Sequence, residues 1–217
     1  MTALATLRTP SPAPAKRPRG RPRKTLDERD EGNRRRQLVK AAARLFRRQG
    51  FDGTSTRDIA AAVGMHAGSP FYHFKSKGQL LHAVMEEGMQ SAIVRQAAVL
   101  TDTRGDAATL LRRLIRNHFE TLHGPGRDFI PVMLYESRSL AARQRAGIAR
   151  LQRDYEAPWL PVLEALAADG RLHSDVHLAR LLIFGALNWS VQWFDKRKRA
   201  SLDDVTDAAL ALFIGEP

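Results

Sequence analysis

The segment "LFRRQGFDGTSTRDIAAAVGMHAGSPFYHFKSKGQLL", residues 45–81, decides how the rest of this chain is read. It begins at the end of an apolar period: Leu38, Ala41, Ala42, Leu45 and Phe46 recur at helical spacing and predict an amphipathic helix from Glu31. Gly50 ends that helix and suits the C′ position of a Schellman cap, which would turn Phe51 back against Phe46. Ser55-Thr56-Arg57-Asp58 reads as a capping box opening a short helix, with Ile59, Ala60 and Val63 inward and Gly64 as its stop. A third helix is expected near Ala67 after a turn of about three residues. Ser76-Lys77-Gly78-Gln79 then opens a long helix running to Thr101. Helix, glycine-containing turn and helix in this order form the pattern of a helix-turn-helix.

Downstream, the period stays helical. Helices are expected near 106–123, 128–139, 141–156, 158–169, 175–195 and 202–214, punctuated by Gly105, Gly124-Pro125-Gly126, Pro158 and Gly170. Ser201-Leu202-Asp203-Asp204 is one more capping box. No useful stretch has a β period and no internal repeat appears, so the fold class is all-α. Upstream, residues 1–29 are rich in Pro, Ala, Thr and Arg and carry almost no large apolar side chains, so they read as a disordered basic arm. Three units follow: the arm at 1–29, a helix-turn-helix DNA-binding domain at 30–77, and a larger helical domain at 78–217.

The bulk numbers agree with a nucleic-acid partner. The 217 residues carry a formal charge of +12, and 43% are hydrophobic, enough for a sizeable core and too many for a wholly disordered chain. With no cysteine there is no disulfide framework, thiolate metal site or cysteine nucleophile. No His-Glu-x-x-His pair, Gly-x-Ser-x-Gly elbow or glycine-rich phosphate loop after a strand occurs, so an enzyme is not expected, nor a metal or cofactor. The longest apolar run, Leu181 to Trp189, is far short of the ~20 residues that span a bilayer. We expect a cytoplasmic, nucleoid-associated protein with no membrane partner.

The Gly50-Phe51 turn, Thr54-Ser55, Ile59-Ala60, Val63-Gly64 and Tyr72-His73-Phe74-Lys75-Ser76-Lys77 together resemble the DNA-binding domain of the tetracycline-repressor (TetR) family of transcriptional regulators. The resemblance covers about 50 residues and implies a homodimer, a double-stranded operator, and a C-terminal domain that binds a small-molecule effector. It also implies that His66, Ala67, Gly68, Ser69, Phe71, Tyr72 and His73 belong to a recognition element, with Thr56, Arg57 and Lys77 holding phosphates. Three features depart from the family pattern. His66 stands where a Ser or Thr N-cap is usual, Ala67 replaces a polar reader, and Pro70 at about N4 would remove a helical hydrogen bond.

Within the arm, Arg19-Gly20-Arg21-Pro22 resembles an AT-hook. Glycine lets the backbone approach the floor of a narrow A·T minor groove, proline keeps it extended, and the groove's negative potential draws arginine. The rival reading is plain phosphate attraction by Arg8, Lys16, Arg17, Arg19, Arg21, Arg23 and Lys24, which stand among residues 1–24 without an acid. Each neutralised phosphate adds about −0.9 to the log–log salt slope. Protein lacking residues 1–24 should therefore bind DNA with a slope shallower by several units in a filter-binding salt series, and an unchanged slope would refute this.

In the larger domain, Leu110, Leu111, Leu114, Ile115, Phe119 and Leu122 form one helix face, and the helix from Asp175 is apolar almost all round. Its "FGALNWSVQWF", residues 184–194, suits a dimer seam with satisfied amides. It equally suits a pocket formed by Phe184, Asn188, Trp189 and Gln192 with His118, Phe119, Met133 and Glu136. "YESRSL" at 135–140 together with "FGALNW" resembles TetR-family members that answer to acyl thioesters, which suggests an acyl-CoA-like effector. The combined reading is a homodimeric repressor released from a palindromic operator by a small apolar or acyl-type effector. Its rival is an architectural protein that coats A·T-rich DNA without a ligand; a short palindromic footprint favours the first, broad coverage the second.

Overall fold

The computed structural model describes residues 26–215 apart from Ser69, Thr103 and 125–127. Among the described residues ten α-helices follow one another: α1 (Leu26–Gln49), α2 (Thr56–Ala61), α3 (Pro70–His73), α4 (Lys77–Leu100), α5 (Ala107–His123), α6 (Phe129–Glu136), α7 (Ala142–Glu156), α8 (Leu160–Ala168), α9 (Val176–Trp193) and α10 (Leu202–Phe213). Short 3-10 turns at Ser137–Ser139 and Ala157–Trp159 extend α6 and lead into α8. The chain is all-α, as its periodicity predicts. One boundary moves at the N-terminal side: α1 starts at Leu26, not Glu31, and takes in the last residues assigned to the arm. Asp27, Glu28, Asp30 and Glu31 fall in its opening turns, where the helix dipole favours acids.

The caps set the other boundaries. Ser55, Ser76, Asp106 and Ser201 each accept the N3 backbone N–H with a side-chain oxygen, and at Ser55 and Ser201 an aspartate three residues on returns the bond. At Gly50 (φ 76°) the expected Schellman cap is replaced by a simpler αL cap: Gly50 N–H bonds Phe46 O at 2.9 Å, but Phe51 N–H leaves the helix. The two rings still meet, with centroids 5.5 Å apart. The Schellman pair forms instead at Gly64 (φ 68°), where Met65 N–H reaches Ala60 O at 2.9 Å and Gly64 N–H reaches Ala61 O at 3.1 Å.

A small unit of α1, α2, α3 and the start of α4 packs around Leu38, Ala42, Phe46, Ile59 and Phe74. The larger body surrounds α5, whose face of Leu111, Leu114, Ile115, Phe119 and Leu122 meets α4, α8, α9 and α10. One long helix, α4, belongs to both. It crosses α6 so closely at Gly88 that a Cβ there would lie 2.1 Å from the Phe129 ring, so any side chain at 88 would push the two helices apart. No described helix is long and apolar enough to cross a membrane.

Candidate DNA interface and effector region

Pro70 governs the recognition element. It stands at the first position of α3, not within a helix begun at Ala67, and the link from α2 therefore runs over residues 62–69. At that position the missing N–H has no helical partner to lose and the fixed φ suits the helix, so proline starts α3 where it was expected to distort it. His66, Ala67 and Gly68 are exposed in the turn ahead of α3, and His66 does not stand at its N-terminus. Tyr72 is 91% exposed, the most open large apolar side chain among the described residues, whereas Phe74 is buried under the Arg35 guanidinium, 5.1 Å from its ring centre. His73 is half-buried between them. Arg19, Gly20, Arg21, Pro22, Ser69 and the Phe71 side chain lie outside the described residues.

Around this element, the phosphate-holding positions divide. Arg57 is exposed and Thr56 half-buried at the start of α2, whose free N–H end the Ser55–Asp58 box fixes. Ser55 N–H and Oγ–H both donate to the Asp58 carboxylate, which holds it below the usual carboxylate range. Lys77 is engaged inside the protein: its ammonium donates to Phe51 O at 2.7 Å and Thr54 O at 3.0 Å and lies 4.2 Å from the Phe51 ring centre. Two of its three donors are thus occupied in tying α4 to the α1–α2 turn, a role sequence reasoning missed.

The same turn is tied to the larger body. Phe51 N–H, released by the αL cap, donates to Glu136 Oε1 at 3.0 Å, and Arg47 donates to Asp128 at 2.9 Å. Both acids belong to α6 or its leading residue. Glu136 is therefore an anchor for the DNA-binding unit as well as a wall of the hollow beside it.

The eight residues expected to line a pocket do not gather in one place. His118, Phe184 and Asn188 meet in the core of the body, where His118 Nδ1 is 3.0 Å from Tyr155 Oη and Nε2 is 3.2 Å from Asn188 Oδ1. Rings of Tyr155, Trp159 and Phe184 surround that imidazole. Burial lowers its pKa to about 4, while the bond to Asn188 works the other way. Phe119 and Met133 are buried core, Glu136 and Gln192 face the hollow beside α1, and Trp189 is 64% exposed on the outer face of α9. The structure therefore places His118 in a satisfied network. Gln96 extends it, donating to Tyr155 O at 2.7 Å and accepting from Trp159 Nε1 at 2.8 Å. Sequence reasoning passed over Gln96, yet it lies on the stripe of Met85, Met89 and Ala92, where a lone amide signals a buried polar contact.

The outer face of α9 is the other surprise. Leu178, Leu181, Leu182, Trp189 and Trp193 are each more than half exposed, and Leu212 of α10 is 83% exposed. A helix read as apolar all round buries only one side within its own chain, and a patch of this kind marks an interaction surface.

Comparison with known proteins places this geometry. Residues 38–84 match the model for bacterial regulatory proteins of the tetR family, and residues 104–215 match that for the tetracyclin repressor-like C-terminal domain. The HTH-type transcriptional repressor KstR2 of Rhodococcus jostii (strain RHA1) is 26% identical over 191 residues, 87% of this chain and 93% of its own. The crystal structure of superantigen PfiT is 36% identical with a TM-score of 0.71, covering 84% of this chain and 97% of that one. AibR, in complex with isovaleryl coenzyme A and operator DNA, superposes with a TM-score of 0.76 at 24% identity over 83% of this chain and 97% of its own, a likeness of fold. With both halves matched, and the second over more than half its length, the chain belongs to the TetR family of transcriptional regulators.

Proposed function

We propose that this protein is a homodimeric, ligand-responsive repressor, with residues 30–77 binding operator DNA and residues 78–217 carrying the dimer surface and the effector site. The observation that carries the reading is Tyr72, 91% exposed on a helix whose neighbours Pro70 and Phe74 are buried. A large aromatic held out on a rigid element has no structural use there, but it can reach a phosphate or a base edge. Thr56 and Arg57 hold the backbone beside it, and the basic arm adds charge.

A twofold dimer through the outer face of α9 would set two such heads about one DNA turn, ~34 Å, apart on a palindrome. KstR2 is named a repressor, which supports repression as the sign of regulation. The AibR complex with isovaleryl coenzyme A supports an acyl-type effector. By linkage, an effector that lowers operator affinity must itself bind the DNA-bound protein less tightly by the same factor. The protein works in the cytoplasm as a regulator, not a catalyst.

Gel shift and footprinting on DNA from the protein's own upstream region test this. A short palindromic footprint is expected, and Tyr72→Ala should lower affinity about tenfold, the size of one lost polar contact. Broad, unpunctuated coverage, or an unchanged affinity for Tyr72→Ala, would overturn the reading.

A further inference from the structure

Where the last turn of α1 meets the ends of α5, α6 and α9, the surface falls into two adjoining hollows that share Arg47 and Val191. They differ in character. One, of about 410 Å³, is cationic: Arg47, Lys196 and Arg197 face a single carboxylate, Asp195. Asp195 already accepts from the Arg197 guanidinium at 2.6 Å, and Lys196 forms no ion pair among the described residues. The other, of about 340 Å³, is lined on α6 and α9 by Pro131, Val132, Tyr135 and Val191, with Glu136 at its edge. Each volume falls in the range of roughly 300–1,000 Å³ usual for small-ligand sites. The cations open the run Lys196-Arg197-Lys198-Arg199 between α9 and α10, a second basic cluster that neither the arm nor the helix-turn-helix accounts for.

A groove that is apolar at one end and cationic at the other fits an amphiphilic anion. Guanidinium and ammonium groups grip phosphates, and the arginine fork does so with two parallel hydrogen bonds. We propose that this groove is the effector site, taking an acyl thioester with its acyl end against Pro131, Val132 and Val191 and its phosphates on Arg47, Lys196 and Arg197. The proposal rests on the ligand-responsive reading above and says where that ligand sits.

The location supplies a route to the DNA-binding unit. Both links between the α1–α2 turn and α6 stand on the rim: Arg47 to Asp128, and Phe51 N–H to Glu136. A phosphate on Arg47 competes with Asp128, and an acyl chain beside Tyr135 displaces the Glu136 carboxylate. The Arg47–Asp128 pair is partly exposed, with side-chain exposures of 34% and 26%, and such pairs yield readily to a better partner. Lys77 holds the same turn to the start of α4, so its release changes how the recognition element is carried. Ligand and operator then oppose each other through one turn of backbone.

Isothermal titration of the full-length protein with isovaleryl coenzyme A, coenzyme A and isovalerate, at one salt concentration, tests this, with operator gel shifts on the same samples. Combining Lys196→Ala with Arg197→Ala should weaken isovaleryl coenzyme A and coenzyme A about tenfold, with isovalerate binding and operator affinity unchanged. Asp128→Asn removes the competitor for Arg47 and should strengthen both coenzyme A species severalfold. If wild-type protein binds its operator but no thioester, the acyl-effector reading falls and this site with it. If the thioester binds wild type and both variants equally, the location alone is overturned. Loss of operator affinity with ligand affinity intact would assign the cations to DNA, and would overturn it too.

Discussion

Replacing Leu182 and Trp189 together by aspartate should turn the protein into a folded monomer and lower its operator affinity by about 10³-fold or more. The two side chains are 69% and 64% exposed in the single chain, so neither substitution removes a core contact. Exposed substitutions of this kind usually change stability by less than about 0.5 kcal/mol. In a twofold interface each position occurs twice, so every substitution is felt at two places. A Leu buried on association contributes about 1.5–3 kcal/mol and a central Trp at least about 2 kcal/mol, before any cost of burying four carboxylates. The total far exceeds the few kcal/mol that separate a tight dimer from monomers at micromolar concentration. Operator affinity follows, because a palindrome rewards two linked heads and a lone head keeps one set of contacts. Analytical ultracentrifugation, thermal unfolding and gel shift on one preparation decide it. A variant that still sediments as a dimer would mean that α9 faces something other than a second copy.

The helix boundaries were legible because they are written in local chemistry. Ser55, Ser76, Asp106 and Ser201 cap where a side-chain oxygen can reach an N–H three residues on, and no tertiary contact is needed to choose them. Pro70 misled because its effect depends on register. Within a helix begun at Ala67 it is a breaker; as the first residue of α3 it is a starter, and only the packing of Phe74 fixes which holds. Gly50 shows the same dependence: an αL cap and a Schellman cap share the glycine, and the destination of Phe51 N–H, set by Glu136 far along the chain, separates them. The effector residues were harder, since His118 on an apolar face looks the same whether it lines a cavity or is closed in by Tyr155 and Asn188. For α9 the period gave the apolar surface, but not which part its own chain covers. The charged groove was missed because Arg47 and Lys196 are far apart in sequence and neither stands in a motif.

Acidification should destabilise this protein through His118 by about 3 kcal/mol between pH 7 and pH 4. With Asn188 Oδ1 toward the ring, Nε2–H donates to it and Nδ1 accepts from Tyr155 O–H, an arrangement that only the neutral imidazole completes. A proton on Nδ1 would face the Tyr155 hydroxyl hydrogen, among three aromatic rings and away from water. This is why burial depresses the pKa from 6.5 to about 4. Between those values the unfolded chain binds the proton and the folded chain does not, so stability rises with pH across the window. The contribution is whole above pH 6.5, declines as pH falls, and is gone near pH 4; a shift of this size, at about 1.4 kcal/mol per unit, gives the figure stated. His118→Gln keeps a donor and an acceptor but cannot titrate. Its stability at pH 7 should be lower than wild type, because Gln fills the ring's place poorly. The gap should close by about 3 kcal/mol as pH falls to 4, read from urea unfolding at each pH. At the alkaline end the same burial raises the Tyr155 phenol, so the unfolded chain ionises first above about pH 10 and stability falls again. A gap that stays constant with pH would mean that His118 titrates as it does in water. The network would then have to open to solvent, and the core of the body would be a cavity after all.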